Sequence, residues 1–553
     1  MERAWLREFN ALGLQLRPQA AKIVTSFLRE CEDANRTVEI LVEQTKVYMR
    51  NRSGVVESVI DEKAITTVIQ CLMEAQESGI ATTGVEQLKD VQTKTLDLGD
   101  GVQIYNVLRD VKSYNFNRAT KVWTPSQHEP TFFAGPDAKA KIYSDRYHIL
   151  LQRLLLEGKL VPEAHAVSGA LLPGQRILTP VESLVGNPGR KLTFGLLSRQ
   201  HDELKPNRHW VIEDLHKVFS VELNVSESAH LMTDGSFVLA EGEVVGDSFK
   251  VHSLDVASAV PRKVSLERDQ VPLQAFGGNL TDEQLQTLEH AEHFHPDGMY
   301  VVLSEVHLDS VRVLEKLEDL FRGYEEAAPP AAYVLMGSFC SSTFVPTAEG
   351  VRAYRDGFER LKFMMRSLEA HVRCGTRFIF VPGPKDPGPE TLPRVPLPNY
   401  LTSDLAKEFS NVVMASNPCR VRHFSRELVF FRHDVLRLLR RHEAVPLSQP
   451  DSSEVVPGVE HVHVEMIRFL LDQAHLVPLP LEESNVIWEY DHALRLYPLP
   501  HAVFVGGLTQ AFDGTHEECQ FCSVGSFSRD SSFYAYHPVK EQLDVCDVPD
   551  RAG

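Results

Sequence analysis

Polar side chains follow four short apolar runs in the second half of the chain. The runs predict buried strands at residues 299–303, 333–337, 377–381 and 502–506. The segments after them read SEVH at 304–307, GSFCS at 337–341, GPKDP at 383–387 and GGLT at 506–509. In sheets of this kind ligands bind beyond the carboxyl ends of the strands, so we expect these loops to hold the candidate site. Glu305, His307 and Asp386 carry the oxygen and nitrogen atoms that divalent metals bind.

The order and placement of these loops resemble the calcineurin-like metallophosphoesterases. That family's pattern is DxH, then GDxxD, then GNH followed by Asp or Glu, and finally GHxH. The resemblance places Glu305 at the first Asp, His307 at the first His and Asp386 at the acid after the third motif. The positions that lack the family ligand are Ser338 and Ser341 in the second motif, Pro384 and Lys385 in the third, and Gly507 and Thr509 in the fourth.

The remaining side chains are too few for a two-metal reaction. Such a site needs about three to four ligands per ion, with the ions roughly 4 Å apart, to activate water and hold the leaving oxygen. Lys385 places a cation where the family has a metal ligand, which opposes metal binding. We therefore predict no catalytic residue, no metal and no cofactor, and interpret these loop positions as vestigial. The alternative is an active metallophosphoesterase or nuclease with a degenerate site.

Other cysteines and histidines are weaker candidates for a metal site. Cys519 and Cys522 form a CxxC pair with no second pair beside it, which is more typical of two ordinary cysteines than of half a zinc site. Two further groups predict solvated or surface histidines, with metal binding as the alternative: His290, His293 and His295, and the alternating His461 and His463.

The most basic short stretch follows an apolar run near residue 430. It contains Arg432, Arg437, Arg440 and Arg441. The spacing of these residues around leucines predicts one side of a helix. We interpret the stretch as a solvated or partner-facing helix rather than a helix that enters a DNA groove.

Residues 175–262 change from helical to alternating hydrophobic periodicity. Five short strands are predicted, at residues 191–195, 210–214, 219–223, 237–244 and 249–252. Gly246 and Asp247 suit a tight hairpin turn between the last two. This pattern predicts a small Greek-key barrel of the OB type, with a generic β-barrel or sandwich as the alternative. An amphipathic helix at 143–153 precedes it.

The barrel strands are poor in the residues that bind single-stranded DNA. They carry acidic side chains with few accompanying Lys or Arg: Glu213, Asp214, Glu222, Glu241 and Glu243. Trp210 and Phe219 fit core positions as well as they fit a stacking platform for bases. We therefore expect protein contacts to dominate this barrel.

Residues 1–75 predict a small helical domain. Pro18 opens a segment in which Ala20, Val24 and Phe27 share one helical face. Further helices are predicted around residues 38–45 and 65–72, and so small a unit buries only a modest core. We expect a face built on Val24, Phe27 and Leu28 to compete between internal packing and contact with a partner. The apolar pattern then breaks up, and we interpret residues 76–140 as a partly ordered linker.

Composition excludes several classes of protein. The 553 residues carry 57 Lys and Arg against 76 Asp and Glu, a net charge of −19, which argues against a dedicated DNA-coating protein. Eight scattered cysteines predict a reducing compartment rather than a disulfide scaffold. We expect neither a secretion signal nor a membrane span, because no apolar run approaches 18 residues. No basic run is long enough for a nuclear signal, so a nuclear location would depend on a partner.

A narrower resemblance rests on five motifs spread over the second half of the chain. They are FVPGPKDPG at 380–388, SNPCR at 416–420, QAHLVPLP at 473–480, ALRLYPLP at 493–500 and GSF at 525–527. In this order they resemble the B subunits of eukaryotic replicative DNA polymerases. The helical N-terminal unit favours the epsilon branch of that family over the alpha and delta branches.

The resemblance implies a multidomain α+β protein with a non-catalytic role. Its implied domains are a helical domain at 1–75, a linker at 76–140, a helix and OB fold at 141–278, and an inactivated phosphoesterase domain of αββα type at 279–553. The implied partners are the cysteine-rich C-terminal region of the polymerase epsilon catalytic subunit, small histone-fold subunits, and the GINS and MCM components of the helicase. A nuclear location, weak or indirect DNA contact and no membrane contact follow from the same resemblance. An independent single-strand DNA-binding protein is the third interpretation.

Overall fold

The computed structural model describes most of the chain. The described residues are 15–30, 38, 41, 42, 45, 59, 60, 65, 66, 69, 101–117, 120–166, 171–200, 209–448 and 461–550. The chain divides into two compact units, Met1–Asp100 and Gly101–Gly553. Each unit is described by itself. Among the described residues, no helix has the length and apolar character needed to cross a membrane.

The first unit is built on one helix with a well-defined apolar side. Strand β1 (Gln15–Leu16) leads into helix α1 (Pro18–Glu30) and pairs in parallel with β2 (Val59–Ile60). The predicted helix start at proline is confirmed, since the missing N–H of proline costs nothing at that position. The core of the unit is a cluster of buried aliphatic side chains: Ala20, Val24, Leu28, Val38, Leu41, Val42, Ile60, Ile65 and Ile69.

The second unit begins earlier than the sequence predicted. Strand β3 (Val102–Asn106) forms the edge of a six-stranded sheet, and β4 (Tyr114–Asn117) pairs with β5 (Val122–Pro125) as a hairpin. The indole N–H of Trp123 donates to the carbonyl of Asp269 over 3.0 Å. The linker prediction is therefore wrong for its described second part. Strand pairing with residues more than 300 positions away orders this segment, and local periodicity carries no trace of such pairing.

A long helix connects this segment to the barrel. Helix α2 (Pro136–Leu156) contains the predicted helix, but it starts before the proposed domain boundary at 140. Strand β6 (Leu160–Pro162), helix α3 (Glu163–Ala166) and strand β7 (Arg176–Leu178) follow, and then a 3₁₀ turn at Val181–Leu184. The apolar side of α2 packs on the barrel core through Ile149, Leu150 and Leu154.

The five predicted barrel strands are confirmed. They are β8 (Lys191–Gln200), β9 (His209–Glu213), β10 (Val218–Leu223), β12 (Ser236–Val245) and β13 (Ser248–Asp255), with the short β11 (Met232–Thr233) between β10 and β12. Strand β8 pairs with both β9 and β12, while β10 lies parallel to β13, so the five strands close into a ring. This is the Greek-key order of an OB barrel. Gly246 has φ +64° in the hairpin turn, as the predicted turn requires.

The rest of the chain alternates helices and strands. Its first part comprises α4 (Arg262–Glu267), a 3₁₀ turn at Leu273–Ala275, α5 (Asp282–Glu292), β14 (Tyr300–Ser304), α6 (Val311–Glu326), β15 (Ala332–Met336), α7 (Ala348–Met365), α8 (Glu369–Arg373), β16 (Arg377–Val381), α9 (Asn399–Glu408) and β17 (Val412–Met414). Strands β14 to β17 are parallel neighbours. Their near-continuous apolar sequences fit strands that are covered on both faces.

The second part supplies most of the other sheet. Its elements are β18 (Cys419–His423), β19 (Arg426–Arg432), α10 (Val435–Arg441), β20 (Glu443–Val445), α11 (His461–Asp472), a 3₁₀ turn at Trp488–Leu494, β21 (Ala502–Gly506), β22 (Phe512–His516), β23 (Cys519–Val524), α12 (Phe527–Asp530), β24 (Ser532–His537) and β25 (Gln542–Asp547). One sheet has the order β17-β16-β15-β14-β24-β25, and the other has the order β22-β23-β21-β19-β18-β3. Strand β20 pairs with β11 beside the barrel.

The two six-stranded sheets pack face to face. One cluster of buried side chains joins them, with Val302 and Val334 from the first sheet and Val421, Phe430 and Phe504 from the second. Helices α6, α7 and α9 cover the outer face of the first sheet, and helices α10 and α11 cover that of the second. The fourth predicted strand, β21, therefore lies in the opposite sheet from the other three.

Candidate functional site

The four predicted loops meet where the two sheets face each other. Glu305 follows β14, is 1% exposed and takes φ +58°. Ser338 follows β15 and is fully buried, and its backbone N–H donates to Glu305 Oε1 over 3.4 Å. The loops after β16 and β21 join them through contacts made by Asp386 and Gly506. The expectation that these loops lie together is confirmed in the structure.

A guanidinium group occupies the centre of the four loops. Arg432, the last residue of β19, is 2% exposed. Its Nε donates to the Gly337 carbonyl over 2.7 Å, and one terminal nitrogen donates to the Gly506 carbonyl over 3.2 Å. The same nitrogen contacts Asp434 Oδ1 at 3.0 Å, and the other is hydrogen-bonded to Glu305. We call Glu305, Arg432 and Asp434 the arginine cluster.

Asn417 holds the backbone of Arg432. Its amide nitrogen donates to the Arg432 carbonyl over 2.7 Å and to the Pro382 carbonyl over 2.9 Å. Its amide oxygen accepts the Arg432 N–H over 3.1 Å. Gly506 leaves room for the side chain, because a Cβ there would lie 2.6 Å from Ser304 Oγ and 3.1 Å from Arg432 Cδ. The arginine is therefore built into the fold, rather than resting on its surface.

The charge of Glu305 is fixed by its neighbours. Burial alone would raise the pKa of this carboxyl, but the hydrogen bond with His307 and the charge of Arg432 lower it to about 2. His307 Nε2 lies 2.9 Å from Glu305 Oε2. Glu305 is thus ionised at neutral pH, and both of its oxygens have partners.

Asp386 is an internal hydrogen-bond acceptor. Its two oxygens accept the backbone N–H groups of Phe339 over 2.8 Å and Gly383 over 2.7 Å, and the Tyr354 hydroxyl donates to it over 3.2 Å. Burial raises the pKa of Asp386 to about 6, despite these donors. A Cβ on Gly337 would lie 1.9 Å from Asp386 Oδ2, so only glycine fits there. Asp386 therefore joins the second and third loops to each other.

The remaining sequence-predicted positions form the rim of the site. Ser341 is hydrogen-bonded to Asp309, with 2.6 Å between Oγ and Oδ2. Lys385 Nζ donates to the Ser341 carbonyl over 2.9 Å, which ties the second and third loops together. Pro384 is half-buried, and Gly507 and Thr509 lie on the fourth loop, with Gly507 close to Asp434. None of these positions contributes a carboxylate or an imidazole to the centre.

These contacts define what the arrangement can do chemically. Within the described part of the chain, no group of three or more His, Cys, Asp or Glu side chains could hold a metal ion. The permanently charged guanidinium lies among the groups that a divalent cation would need, and like charges repel strongly in a buried site. Arg432 therefore supplies the positive charge at the centre of the arginine cluster, beside the Glu305 carboxylate.

The other sequence candidates are explained by packing. Cys519 and Cys522 are buried on opposite faces of β23, one against the helices and one between the sheets, so they cannot chelate one ion. His295 stacks on Phe424 at 5.3 Å. His461 and His463 begin helix α11, so the idea that they share one face of an extended segment does not apply.

The prediction for the basic stretch was wrong at one position. Arg437, Arg440 and Arg441 are exposed on α10, as expected, but Arg432 ends a strand and is buried. The sequence signal was present, because Arg432 directly follows an apolar run that is itself a strand. Sequence reasoning missed that strand and grouped Arg432 with the helix. It also assigned no role to Asp434. Asn417 was noted only as part of the SNPCR motif, with no hydrogen-bonding role.

The predicted partner face on α1 is mainly internal. Val24 is fully buried and Leu28 is 7% exposed, both within the core of the first unit. Phe27 is partly buried and packs against the same core. Internal packing therefore buries most of this face. Of the three residues, Phe27 is the one whose side chain is only partly buried.

Two known protein families match separate parts of this chain, one in the region of the two sheets and one in the region of the barrel. Residues 300–513 match the family of the B subunits of DNA polymerases alpha and epsilon, and residues 136–258 match the family "DNA polymerase epsilon subunit 2-like, OB-fold domain". The second match confirms the OB prediction.

Full-length relatives agree with these family matches. The B subunit of DNA polymerase epsilon from Arabidopsis thaliana is 33% identical over 74% of this chain and 76% of its own length. The human DNA polymerase epsilon subunit 2 is 28% identical over 98% of this chain and 97% of its own. The B subunit from Schizosaccharomyces pombe is 29% identical over 78% of this chain and 74% of its own. This chain belongs to the family of DNA polymerase epsilon B subunits, the accessory subunits of that polymerase.

Proposed function

We propose that this chain is a non-catalytic scaffold of DNA polymerase epsilon whose phosphoesterase-type domain is inactive. The observation that carries the proposal is the position of Arg432, whose guanidinium contacts all but the third of the four loops that would otherwise hold metal ions. Two facing sheets with helices on their outer faces and loops in the expected order support the phosphoesterase-type architecture.

The proposed loss of metal-dependent hydrolysis follows from the side chains present in the four loops. A two-metal hydrolase lowers the pKa of a bound water and holds the leaving oxygen with the same ions. Here the carboxylate of Glu305 is already hydrogen-bonded to Arg432 and His307, and the carboxylate of Asp386 already accepts backbone N–H groups. An incoming Mn²⁺ or Mg²⁺ would have to displace a buried ion pair, which is costly because it leaves an uncompensated charge.

The test is a hydrolysis assay on the whole purified protein. With Mn²⁺, Mg²⁺ or Zn²⁺ added, we expect aryl phosphates, aryl phosphodiesters and single- or double-stranded DNA to stay intact. A His307→Ala variant is the matched control, since it removes a vestigial position without altering the guanidinium. Metal-dependent turnover that disappears in this variant would overturn the proposal.

The proposed partners follow from membership of the family. We propose that the larger unit binds the cysteine-rich C-terminal region of the catalytic subunit, and that the first unit links the polymerase to GINS and the MCM helicase. Histone-fold subunits of the same complex are further proposed partners. A deletion of residues 1–100 should keep the catalytic subunit and lose the helicase components on co-purification. Unchanged helicase association would contradict this division.

We also propose that the protein acts in the nucleus and arrives there with its partner. The chain has no long basic run, and its net charge is −19. Tagged protein expressed without the catalytic subunit should be partly cytoplasmic and should become nuclear on co-expression. Full nuclear accumulation of the protein alone would show that it carries its own signal.

A further inference from the structure

A cavity in the second unit lies between helix α2, the barrel and the loop around residue 480. Its volume is about 730 Å³, within the usual range of about 300–1,000 Å³ for ligand pockets. We call it the interdomain groove. It is separate from the arginine cluster and shares no lining residue with it: the lining includes Tyr143, Tyr147, Leu196, Phe237, Glu482 and Glu483.

Two apolar and two acidic lining residues of the groove are buried, and the acidic ones are Asp214 and Asp234. Leu196 is 8% exposed and Phe237 is 4% exposed. The Tyr147 ring meets the Phe237 ring edge to face, with 6.2 Å between ring centroids, and Tyr143 is hydrogen-bonded to the backbone of Leu481. An aromatic or aliphatic side chain of a partner would be well covered here, as binding anchors usually are.

The lining is acidic overall. Its acidic side chains outnumber its basic ones by five to two; they are Glu213, Asp214, Asp234, Glu482 and Glu483, against Lys139 and Arg199. Charges of both signs already have contacts. The Arg199 guanidinium lies 4.5 Å from the centre of the Trp210 ring, and Glu483 Oε2 lies 3.2 Å from His442 Nε2. Asp214 and Asp234 accept backbone N–H groups. Glu482 and Glu483 are exposed on the side opposite the barrel. Such a lining repels phosphate groups and attracts cations.

We propose that the interdomain groove is a docking site for a basic segment of a protein partner, with an aromatic or aliphatic anchor between Lys or Arg residues. The acidic lining favours a basic peptide over single-stranded nucleic acid, whose phosphates it repels, although the groove borders an OB barrel. The anchor packs against Leu196 and Phe237, and the flanking cations meet the acidic lining. This proposal does not depend on the inactivity of the arginine cluster.

The test uses the full chain and a defined probe. The probe is a fluorescein-labelled peptide with a Trp-Leu pair between two Lys-Lys-Lys runs, and its binding is followed by fluorescence anisotropy. We expect Glu482→Lys with Glu483→Lys to raise Kd about tenfold, since each reversal replaces an attraction by a repulsion. Changing Trp-Leu to Ser-Ser in the peptide should weaken binding by at least the same factor.

Two controls separate this site from general attraction to an acidic protein. Glu315→Lys with Glu326→Lys makes the same change in net charge on exposed positions of α6, outside the groove, and should leave Kd within twofold. Bound peptide should slow hydrogen exchange at residues 139–147, 213–215 and 480–483. Equal weakening by both double variants, or protection elsewhere, would overturn the proposal. So would binding of a labelled oligo(dT) that protects the same three segments.

Discussion

The arginine cluster and the interdomain groove both combine acidic and basic side chains, but they differ in how the charges are paired. In the cluster, the carboxylate of Glu305 and the guanidinium of Arg432 are almost wholly buried and saturated with partners. In the groove, Glu482 and Glu483 are exposed and acids outnumber bases. Removing one member of a buried, fully paired set of charges destabilises the fold, whereas exposed charges of one sign attract groups of the opposite sign. The difference teaches that the charged side chains of a site must be judged by their burial and their partners, and not by their number alone.

The largest expected effect tests whether the cluster is structural. Arg432→Leu leaves the buried Glu305 carboxylate without its counter-ion and should lower the free energy of unfolding of the two-sheet domain by about 3–5 kcal/mol. Urea denaturation with hydrogen exchange at Tyr300–Ser304 measures it. Arg437→Leu, on the exposed side of α10, is the control and should change stability by less than about 0.5 kcal/mol.

A double variant sharpens the same point. Glu305→Leu with Arg432→Leu removes both charges and should recover most of the loss, because replacing a whole buried pair by apolar side chains is often close to neutral. Equal effects of Arg432→Leu and Arg437→Leu would show that the cluster contributes nothing. A double variant as unstable as the single one would assign the loss to packing instead.

Acid should weaken the cluster by more than it weakens an exposed ion pair, because the pKa of Glu305 changes more on folding. The pKa of Glu305 falls from its ordinary 4.5 to about 2 on folding, so its contribution is complete above pH 4.5 and is lost as the pH falls towards 2. The loss should be on the order of 3 kcal/mol. Urea midpoints at pH 5 and pH 2.5 measure it, and the Glu305→Leu, Arg432→Leu double variant should show a correspondingly smaller change. Parallel pH profiles for the two proteins would refute the assignment.

The groove should respond to pH with a smaller effect. Burial and the neighbouring Asp214 raise the pKa of Glu213, so mild acid protonates this carboxyl earlier than an ordinary glutamate. Affinity for the basic peptide should therefore fall as the pH is lowered from 7.5 towards 5. Glu213→Gln should weaken binding at pH 7.5 by up to about fivefold, a value typical of one partly exposed charge. Peptide affinity that rises in acid would contradict the groove's proposed polarity.

The smallest expected effect concerns the rim of the candidate site. Lys385→Ala removes a hydrogen bond to the Ser341 carbonyl at an exposed position and should change stability by less than about 0.5 kcal/mol. It should also leave the protein without hydrolytic activity, because Arg432 stays in place. Metal-dependent hydrolysis by this variant would show that the lysine, rather than the buried arginine, keeps the site inactive.

Much of the architecture was readable from local sequence. Alternation of apolar residues located all five barrel strands, and apolar runs located β14, β15, β16 and β21. Strand β3 was missed because it is ordered by pairing with β18, far away in the sequence. Residues on α1 were placed on the correct helix, yet only the packed core showed that Val24 and Leu28 face inward.

The sequence by itself determined which carboxylate and imidazole ligands are missing, because the side chains of serine and glycine carry neither group in any fold. It also determined the order of the loops, which follows from the order of the strands. Only the tertiary structure decided which cation lies beside Glu305. Glu305 comes from one sheet and Arg432 from the other, and their contact depends on how the two sheets pack. The interdomain groove has the same origin, since its lining comes from segments more than 300 residues apart that no local pattern connects.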